Sequence, residues 1–294
     1  MKRNIKLLFW LLLFIHISFS EIALSKDTLT YNTILFKVIH PNNNKISYLF
    51  GTHHAFGNSF FNSLQNATDA LKKSDLLIKE NLNITGHLAE DIINKRTSTT
   101  KWLRYLSKEN FEFVNNIFSS SKVDINKMTP TELNTFLNRY YKEKVCLSKQ
   151  STDDYLSLDD YIGTVAEKFQ LELIGLETTE FQIELINQDV QGMPRKVHKK
   201  RLLSIISRIK SNRSDNCSEI DWYRNMDFDY KLDSPCKNTL VLTDRNNKWM
   251  NQIQEYLKSN NCFIAVGLSH LMFECGLINQ LKNLGYTITP ISVK

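Results

Sequence analysis

YLFGTHH, at residues 48–54, decides the fold, and FIAVGLSH, at residues 263–270, repeats its pattern far along the chain. Each is a short apolar run, typical of a buried strand, that ends in a glycine, two further residues and a histidine. Gly51 and Gly267 let the backbone turn sharply or approach a ligand closely. His54 and His270 then follow the carboxyl ends of strands, where open α/β sheets bind their ligands. We predict that both histidines serve one site; the alternative is that they are ordinary turn or helix-start residues.

Alternating and apolar segments predict the rest of the sheet. We expect strands at residues 33–39, 47–50, 75–78, 171–176, 262–266 and 287–293. A helical segment at 64–71 follows the first G-x-x-H run, and another at 271–284, capped by Gly285, follows the second. The pattern predicts an α/β fold with a mixed central sheet flanked by helices, in which two strand–G-x-x-H–helix–strand units are pseudo-symmetric halves.

Helical periodicity dominates the middle of the chain. Residues 86–169 are rich in Lys, Asn, Ser and aromatic side chains, and Thr129 caps a helix that starts at Pro130. We interpret 86–169 as a helical insertion in a single domain that spans 21–294. Residues 181–209 are also predicted to be helical, as is a short segment around Trp222. Thr243 or Asp244 is predicted to cap the helix that carries Arg245.

The amino terminus has the features of a signal peptide. Three basic residues precede an almost wholly apolar run at 7–19, and small residues precede a cut after Ser20. The apolar run is too short to span a bilayer comfortably. We therefore predict a signal peptide at 1–20 and an exported protein, periplasmic or secreted. A cut after Ser25 and an uncleaved anchor are the alternatives.

The charge of the chain argues against a nucleic-acid partner. Removal of the three cations in 1–20 lowers the formal charge from +6 to +3, and no basic run is interleaved with aromatic residues. The densest basic cluster is Lys196, Lys199, Lys200 and Arg201, which we interpret as the solvated face of a helix. The expected partner is a peptide or small-molecule substrate.

Five cysteines remain after export, so at least one thiol is unpaired. An oxidising compartment permits disulfides. Cys217 and Cys236 flank a polar, loop-like stretch, and we predict that they pair. Cys262 opens a strand and is predicted to be a small core residue.

Several motifs together resemble the TraB/GumN family. They are YLFGTHH, SDLLIKEN, GLETTEFQ, DRNNKWMNQIQEYL and FIAVGLSHLMFECGLINQLKNLGYTITPI, and they cover residues 33–83 and 171–294. The chain has LMFECG where that family usually has smaller residues and a glycine after the His-Leu pair. The family is related to the Tiki proteins, regarded as metal-dependent proteases, and more distantly to the ChaN and erythromycin-esterase folds. The resemblance therefore implies metal-dependent hydrolysis.

The resemblance and the chemistry of the side chains point to the same ligands. The two G-x-x-H motifs supply His54 and His270, and the strand end of SDLLIKEN supplies Glu80. Two imidazoles and a carboxylate suit a divalent transition metal such as Mn, Co or Zn. Such a metal polarises a carbonyl and lowers the pKa of a bound water.

Other polar residues are predicted to act beside the metal. The helix opening supplies Arg245, which would bind substrate or stabilise an oxyanion, with Asn246 beside it. His53 is a further substrate-binding candidate. Glu80 and Glu177 are candidate catalytic carboxylates, with Glu177 as general base or additional ligand. The alternatives are a surface ion pair for Arg245, a solvated strand-end acid for Glu80 and a helix N-terminal carboxylate for Glu177.

These observations predict an exported metal-dependent hydrolase, most simply a peptidase. The alternative is a non-catalytic protein that uses the same cleft to bind a peptide, a small molecule or haem, because fold does not imply function. Turnover distinguishes the two, since a hydrolase cuts peptides and a binding protein protects them.

Overall fold

The structure is a computed structural model that describes residues 31–43, 45–149, 156–227 and 229–294. The predicted signal peptide at 1–20 lies outside these residues. All six predicted strands are present: β1 (Leu35–Ile39), β2 (Ile46–Thr52), β3 (Leu76–Lys79), β4 (Glu172–Gly175), β5 (Cys262–Gly267) and β6 (Thr287–Ile291). Their apolar character predicted them, because the strands that lie at the centre of the sheet are buried on both faces.

One sheet contains all six strands, in the order β4-β3-β5-β2-β1-β6. β2, β5, β3 and β4 pair in parallel, whereas β1 is antiparallel to both of its neighbours, β2 and β6. The predicted mixed sheet is therefore confirmed. The parallel pairing has a functional consequence, because the carboxyl ends of β2, β5 and β3 meet at one edge of the sheet.

Helices surround the sheet. They are α1 (Asn58–Asn62), α2 (Gln65–Lys72), α3 (Ala89–Asn94), α4 (Lys108–Ile117), α5 (Pro130–Tyr141), α6 (Leu158–Lys168), α7 (Thr179–Gln188), α8 (Arg195–Lys210), α9 (Ser218–Asn225), α10 (Asp244–Ser259) and α11 (Leu277–Asn283). None of the helices in the described residues has both the length and the apolar composition to cross a bilayer.

The start of α10 differs from its prediction. A π-helical turn, Thr239–Thr243, leads directly into α10, so neither Thr243 nor Asp244 caps it. Asn238 begins the continuous helical segment instead, because its side-chain oxygen accepts a hydrogen bond from the Val241 amide at 2.9 Å. This longer entry aims Arg245 at the edge of the sheet.

Two hydrophobic cores organise the molecule. The first packs the sheet against α2, α6, α10 and α11. The second joins α3, α4 and α5 to α7, α8 and Cys217. The predicted insertion at 86–169 therefore shares its core with helices that come after β4, while α6, which lies inside that range, packs on the sheet. The order of the elements in the sequence does not reveal that α6 packs in the first core whereas α7 and α8 pack in the second.

The segment after the second G-x-x-H is less helical than predicted. Residues 271–276, which follow a 3-10 turn at Leu268–His270, are not helical, and α11 begins only at Leu277. Gly276 explains the break, because a Cβ at this residue would lie 2.3 Å from the Met272 carbonyl oxygen. Phe273 adopts φ of 68°, a left-handed conformation that favours glycine. This residue lies in the LMFECG segment.

The predicted Cys217–Cys236 disulfide is wrong. Cys217 pairs with Cys146, with a Cα–Cα distance of 5.4 Å, and Cys236 pairs with Cys275 at 6.0 Å. The first disulfide ties the turn after α5 to the start of α9, and the second fixes the loop that follows His270. Tertiary contacts, rather than closeness in the sequence, bring these thiols together. Cys262 is a buried free thiol, as predicted.

Glu132 connects the elements of the second core through four donors. Arg96 binds its carboxylate through Nη1 at 2.7 Å and Nη2 at 2.8 Å, and the Thr129 amide and Asn187 Nδ2 donate at 2.8 and 2.7 Å. Burial raises the pKa of Glu132, but these hydrogen bonds outweigh burial and hold the pKa below its usual value. The ionised carboxylate is therefore the form that the fold stabilises.

Glu132→Gln is expected to lower the free energy of unfolding by about 1–3 kcal/mol at pH 7, because charge-assisted bonds are lost inside the protein. The folded pKa of Glu132 lies below its unfolded value, so its contribution is complete above the unfolded pKa and disappears as pH falls through the folded pKa. Urea unfolding at pH 7 and at steps below about pH 4.5 should show the two proteins converge in stability. A gap that is constant with pH would contradict this role.

Candidate active site

Three neighbouring parallel strands deliver the predicted ligands to one edge of the sheet. Thr52, at the end of β2, pairs with Gly267, at the end of β5, and β5 also pairs with β3. His54, His270 and Glu80 directly follow these three strand ends. His270 Nε2 lies 3.8 Å from Glu80 Oε1, and His54 interacts electrostatically with both side chains. The predicted convergence of these three residues is therefore observed.

The two motif glycines are required by close packing rather than by positive φ. The Gly267 amide donates to Glu80 Oε1 at 2.8 Å, and a Cβ at Gly267 would lie 3.1 Å from that oxygen. A Cβ at Gly51 would lie 2.6 Å from Leu268 Cδ1. Glycine thus allows Glu80 to pack on the end of β5, and it allows the second G-x-x-H turn to pack on β2.

Arg245 is the central cation of the site. Its Nη2 donates to both Glu80 Oε2 and Glu177 Oε2 at 2.7 Å, and its Nε donates to Glu177 Oε1 at 2.9 Å. Burial lowers the pKa of Arg245, but the two carboxylates outweigh burial and raise it. Burial also raises the pKa of Glu80, and the attraction of His270, Arg245 and His54 reverses that effect, so Glu80 is ionised.

Glu177 holds Arg245 in position through buried contacts. Its side chain is 0 % exposed, and Trp249 Nε1 donates to its Oε1 at 2.9 Å. The Trp249 ring also packs on the guanidinium, whose Cζ lies 4.6 Å from the ring centroid. Glu177 is consequently not placed to act as a general base on a substrate. It is a buried anchor whose charge is matched by Arg245.

Asn246 fixes the orientation and the tautomer of His270. Asn246 Nδ2 donates to the Cys275 carbonyl at 2.9 Å, so its Oδ1 is the atom that faces His270 Nδ1 at 2.7 Å. His270 Nδ1 therefore carries the proton, and Nε2 accepts from Arg245 Nη1 at 3.0 Å. Burial lowers the pKa of His270 to about 4, so the ring is neutral at pH 7. Asn246 is 0 % exposed, and its side chain bonds to His270 and the Cys275 carbonyl.

His54 pairs with a carboxylate that the sequence did not indicate. Its Nδ1 lies 2.7 Å from Asp159 Oδ2, and Asp159 Oδ1 accepts from the Thr52 hydroxyl. Asp159 is in the first turn of α6, which Ser157 caps. The attraction of Asp159 raises the pKa of His54, and solvent limits the effect because the His54 side chain is 64 % exposed.

His53 points away from the cleft. Its Nε2 lies 3.1 Å from Glu219 Oε1, its Nδ1 accepts from the Ala55 amide, and its ring packs on Phe56 and Tyr223. Tyr223 also donates from its hydroxyl to the Gly51 carbonyl at 2.7 Å. His53 therefore helps to anchor the first G-x-x-H turn to α9 and is not placed to bind substrate.

The donor chemistry of the site fits a divalent metal, but the present spacing does not form a coordination shell. Asp159 and Asn246 hold Nδ1 of the two imidazoles, as partners of metal-ligating histidines do, so Nε2 is the nitrogen that would face a metal; in His270 this nitrogen accepts from Arg245 Nη1 at 3.0 Å instead. Within the ranges that the structure describes, no three His, Cys, Asp or Glu side chains are grouped so that they could hold a metal ion. The Arg245 guanidinium is the cation that contacts His270 and Glu80.

Asp159, Thr52 and Trp249 are the site residues that sequence reasoning missed. Trp249 had a usable signal, because it lies four residues after Arg245 and therefore on the same face of α10. Asp159 had none, since its partner Thr52 is 107 residues away in the chain.

Comparison with known proteins agrees with this architecture. The chain matches no curated protein and no solved structure. A family model described as the TraB/PrgY/gumN family matches residues 34–290, which include all six strands except the last residue of β6 and the whole of the candidate site. The chain therefore belongs to the TraB/PrgY/gumN family.

Proposed function

We propose that this protein is an exported metal-dependent hydrolase that cleaves a peptide or a related carbonyl compound. The observation that carries the proposal is the meeting of two imidazoles, each fixed at Nδ1, with Glu80 at three adjacent strand ends. Membership of the TraB/PrgY/gumN family supports the same proposed function. His54, His270 and Glu80 would hold the ion, which would supply Lewis acidity toward a carbonyl and toward water.

The protein's own residues complete the chemistry. Arg245 Nη1 is the guanidinium nitrogen that contacts no carboxylate among the described residues; it donates one N–H to His270. When His270 Nε2 binds the ion, Nη1 loses that acceptor, and its N–H groups would then donate to an oxyanion that develops on a substrate carbonyl, while Glu80 and Glu177 hold the guanidinium in place. A preorganised donor of this kind stabilises the transition state because it needs no reorganisation during the reaction.

Mn²⁺, Co²⁺ or Zn²⁺ is expected to raise the thermal midpoint of the purified protein by several degrees at saturating concentration, because a ligand that binds only the folded state stabilises it. His54→Ala should abolish this increase. His87→Ala is the matched control, because His87 is also exposed and paired with a carboxylate, Glu180, at 2.7 Å. It should respond like the wild type.

A peptide-library digest with and without the metal then separates hydrolysis from binding. Metal-dependent cleavage that His54→Ala loses is the expected result. Absence of any metal response in the wild type would overturn the metal site, and a metal response with protected, uncut peptides would favour a binding protein.

Gly267→Ala is expected to weaken metal affinity and turnover by up to about 10-fold with little loss of stability. The backbone of Gly267, with φ of −52° and ψ of 135°, suits alanine, so the effect comes from displacement of Glu80 by a few tenths of an ångström. A 1 Å misplacement of a catalytic group can cost about 10²-fold, and this shift is smaller. Gly163→Ala in α6, where a Cβ meets only ordinary contacts, is the control. Equal turnover in both variants would contradict the role assigned to Gly267.

A further inference from the structure

α8 presents a basic surface on the side of the molecule that carries the second core. Its sequence, RKVHKKRLLSIISRIK, has seven Lys and Arg residues and no Asp or Glu. Leu202, Ile205 and Ile206 are buried in that core. The cations therefore lie on the remaining faces of the helix, and the helix itself carries no acid to neutralise them.

Part of this surface is a groove between α5 and α8 with a volume of about 340 Å³. Its polar lining consists of Asn134, Asn138, Lys200, Arg201, Ser204 and Arg208, and it includes no carboxylate. The α8 residues lie at i, i+1, i+4 and i+8, and the two asparagines lie at i and i+4 of α5. This spacing places each set along one face of its helix, so the donors of two facing helices converge.

Asn138 Nδ2 donates to the Asn134 carbonyl at 2.7 Å, whereas no carboxylate among the described residues accepts from the other donors in this groove. Asn134 is only 7 % exposed and lines the groove. Lys200 and Arg208 form no ion pair with any described residue, and Arg201 donates only to the sulfur of Met193, a weak acceptor, at 3.6 Å. A ligand with several acceptor oxygens would accept from the Asn134 side chain and neutralise the cations.

We propose that the groove between α5 and α8 binds a phosphate group, carried by a soluble phosphomonoester or by the headgroup of an anionic phospholipid. Guanidinium groups bind phosphate through paired hydrogen bonds, and ammonium, amide and hydroxyl groups supply further donors. This site is separate from the strand-end site and does not depend on the proposed hydrolase activity. It gives a ligand to Lys200 and Arg201, two of the four residues of the basic cluster that the sequence analysis interpreted as a solvated face.

Calorimetric titration with inorganic phosphate and glycerol 1-phosphate tests the groove directly. Arg208→Gln should weaken binding by about 10-fold or more, as expected for loss of a charge-assisted contact. Asn134→Ala should weaken it by about 5-fold without a change of charge. Arg195→Gln is the matched control on the same helix, because Arg195 does not line the groove; its affinity should stay within about 2-fold of the wild type. Thermal unfolding confirms that each variant folds.

Vesicle flotation with phosphatidylglycerol or phosphatidylcholine identifies the source of the phosphate. Binding to phosphatidylglycerol vesicles that Arg208→Gln and Asn134→Ala weaken indicates a lipid headgroup, whereas binding of glycerol 1-phosphate alone indicates a soluble ligand. The proposal is overturned if wild-type protein binds none of these probes. It is also overturned if Arg195→Gln weakens binding as much as Arg208→Gln, because the effect would then be general charge attraction.

Discussion

Arg245→Gln is expected to lower the free energy of unfolding by about 3–5 kcal/mol, because it leaves buried carboxylates without their counter-ion. The Glu177 side chain is 0 % exposed and Glu80 is 12 % exposed, and both carboxylates accept from the Arg245 guanidinium at 2.7 Å. Trp249 also loses the cation on which its ring packs. Turnover should be lost in the same variant, because Nη1 is the proposed oxyanion donor.

Urea unfolding at pH 7 measures this effect on stability. Arg224→Gln is the control, because Arg224 and Asp221 form an exposed pair at 3.2 Å. That change should cost no more than about 0.5 kcal/mol. If uncompensated charge is the cause, Glu177→Gln combined with Arg245→Gln should cost less than the sum of the single variants. A loss below about 1 kcal/mol for Arg245→Gln would contradict the assigned role of the buried pairs.

The positions of the candidate metal ligands could be predicted from the sequence, because the information that locates them is local. His54, His270 and Glu80 each follow a short apolar run, and the carboxyl ends of neighbouring parallel strands meet at one edge of a sheet. The pattern therefore located the site without any knowledge of long-range contacts. The same local patterns predicted all six strands.

Side-chain roles were harder to predict than positions, because they depend on helix phase. Arg245 and Asn246 are consecutive in α10, so their side chains point about 100° apart around the helix. Arg245 faces the carboxylates, and Asn246 turns toward His270 and the Cys275 carbonyl. The two side chains therefore reach His270 at its two different ring nitrogens.

Long-range contacts account for the remaining errors. LMFECGLI has the apolar spacing of a helix, but the Cys236–Cys275 disulfide and the close approach of Gly276 to the Met272 carbonyl hold the segment before Leu277 in an irregular form. The Cys275 carbonyl then orients Asn246. The irregular loop thus contributes to the orientation of His270, which a regular helix from residue 271 would not provide.

Asp159→Asn is expected to reduce metal affinity or turnover by about 10- to 100-fold, the usual effect of losing a carboxylate that orients a ligating histidine. Asp159 Oδ2 lies 2.7 Å from His54 Nδ1, an ion-pair contact, and has no hydrogen-bond partner among the described residues. Burial raises the pKa of Asp159, but His54, Thr52 and Lys79 outweigh burial and hold it well below its usual range. The carboxylate is therefore ionised, and asparagine keeps its shape while removing the charge.

Asp160→Asn provides the control, because Asp160 carries the same charge in the same turn of α6 but bonds to Ser157, Asn83 and Lys79 rather than to His54. Calorimetric titration with Co²⁺ and steady-state turnover should distinguish the two variants, with Asp160→Asn within about 2-fold of the wild type. Thr52→Val should show a smaller loss than Asp159→Asn, because Thr52 touches only the far oxygen of the carboxylate. The comparison requires that the wild type binds Co²⁺. If Asp159→Asn then binds the ion equally tightly, Asp159 does not position His54. The contact then contributes only to the packing of α6 on the end of β2.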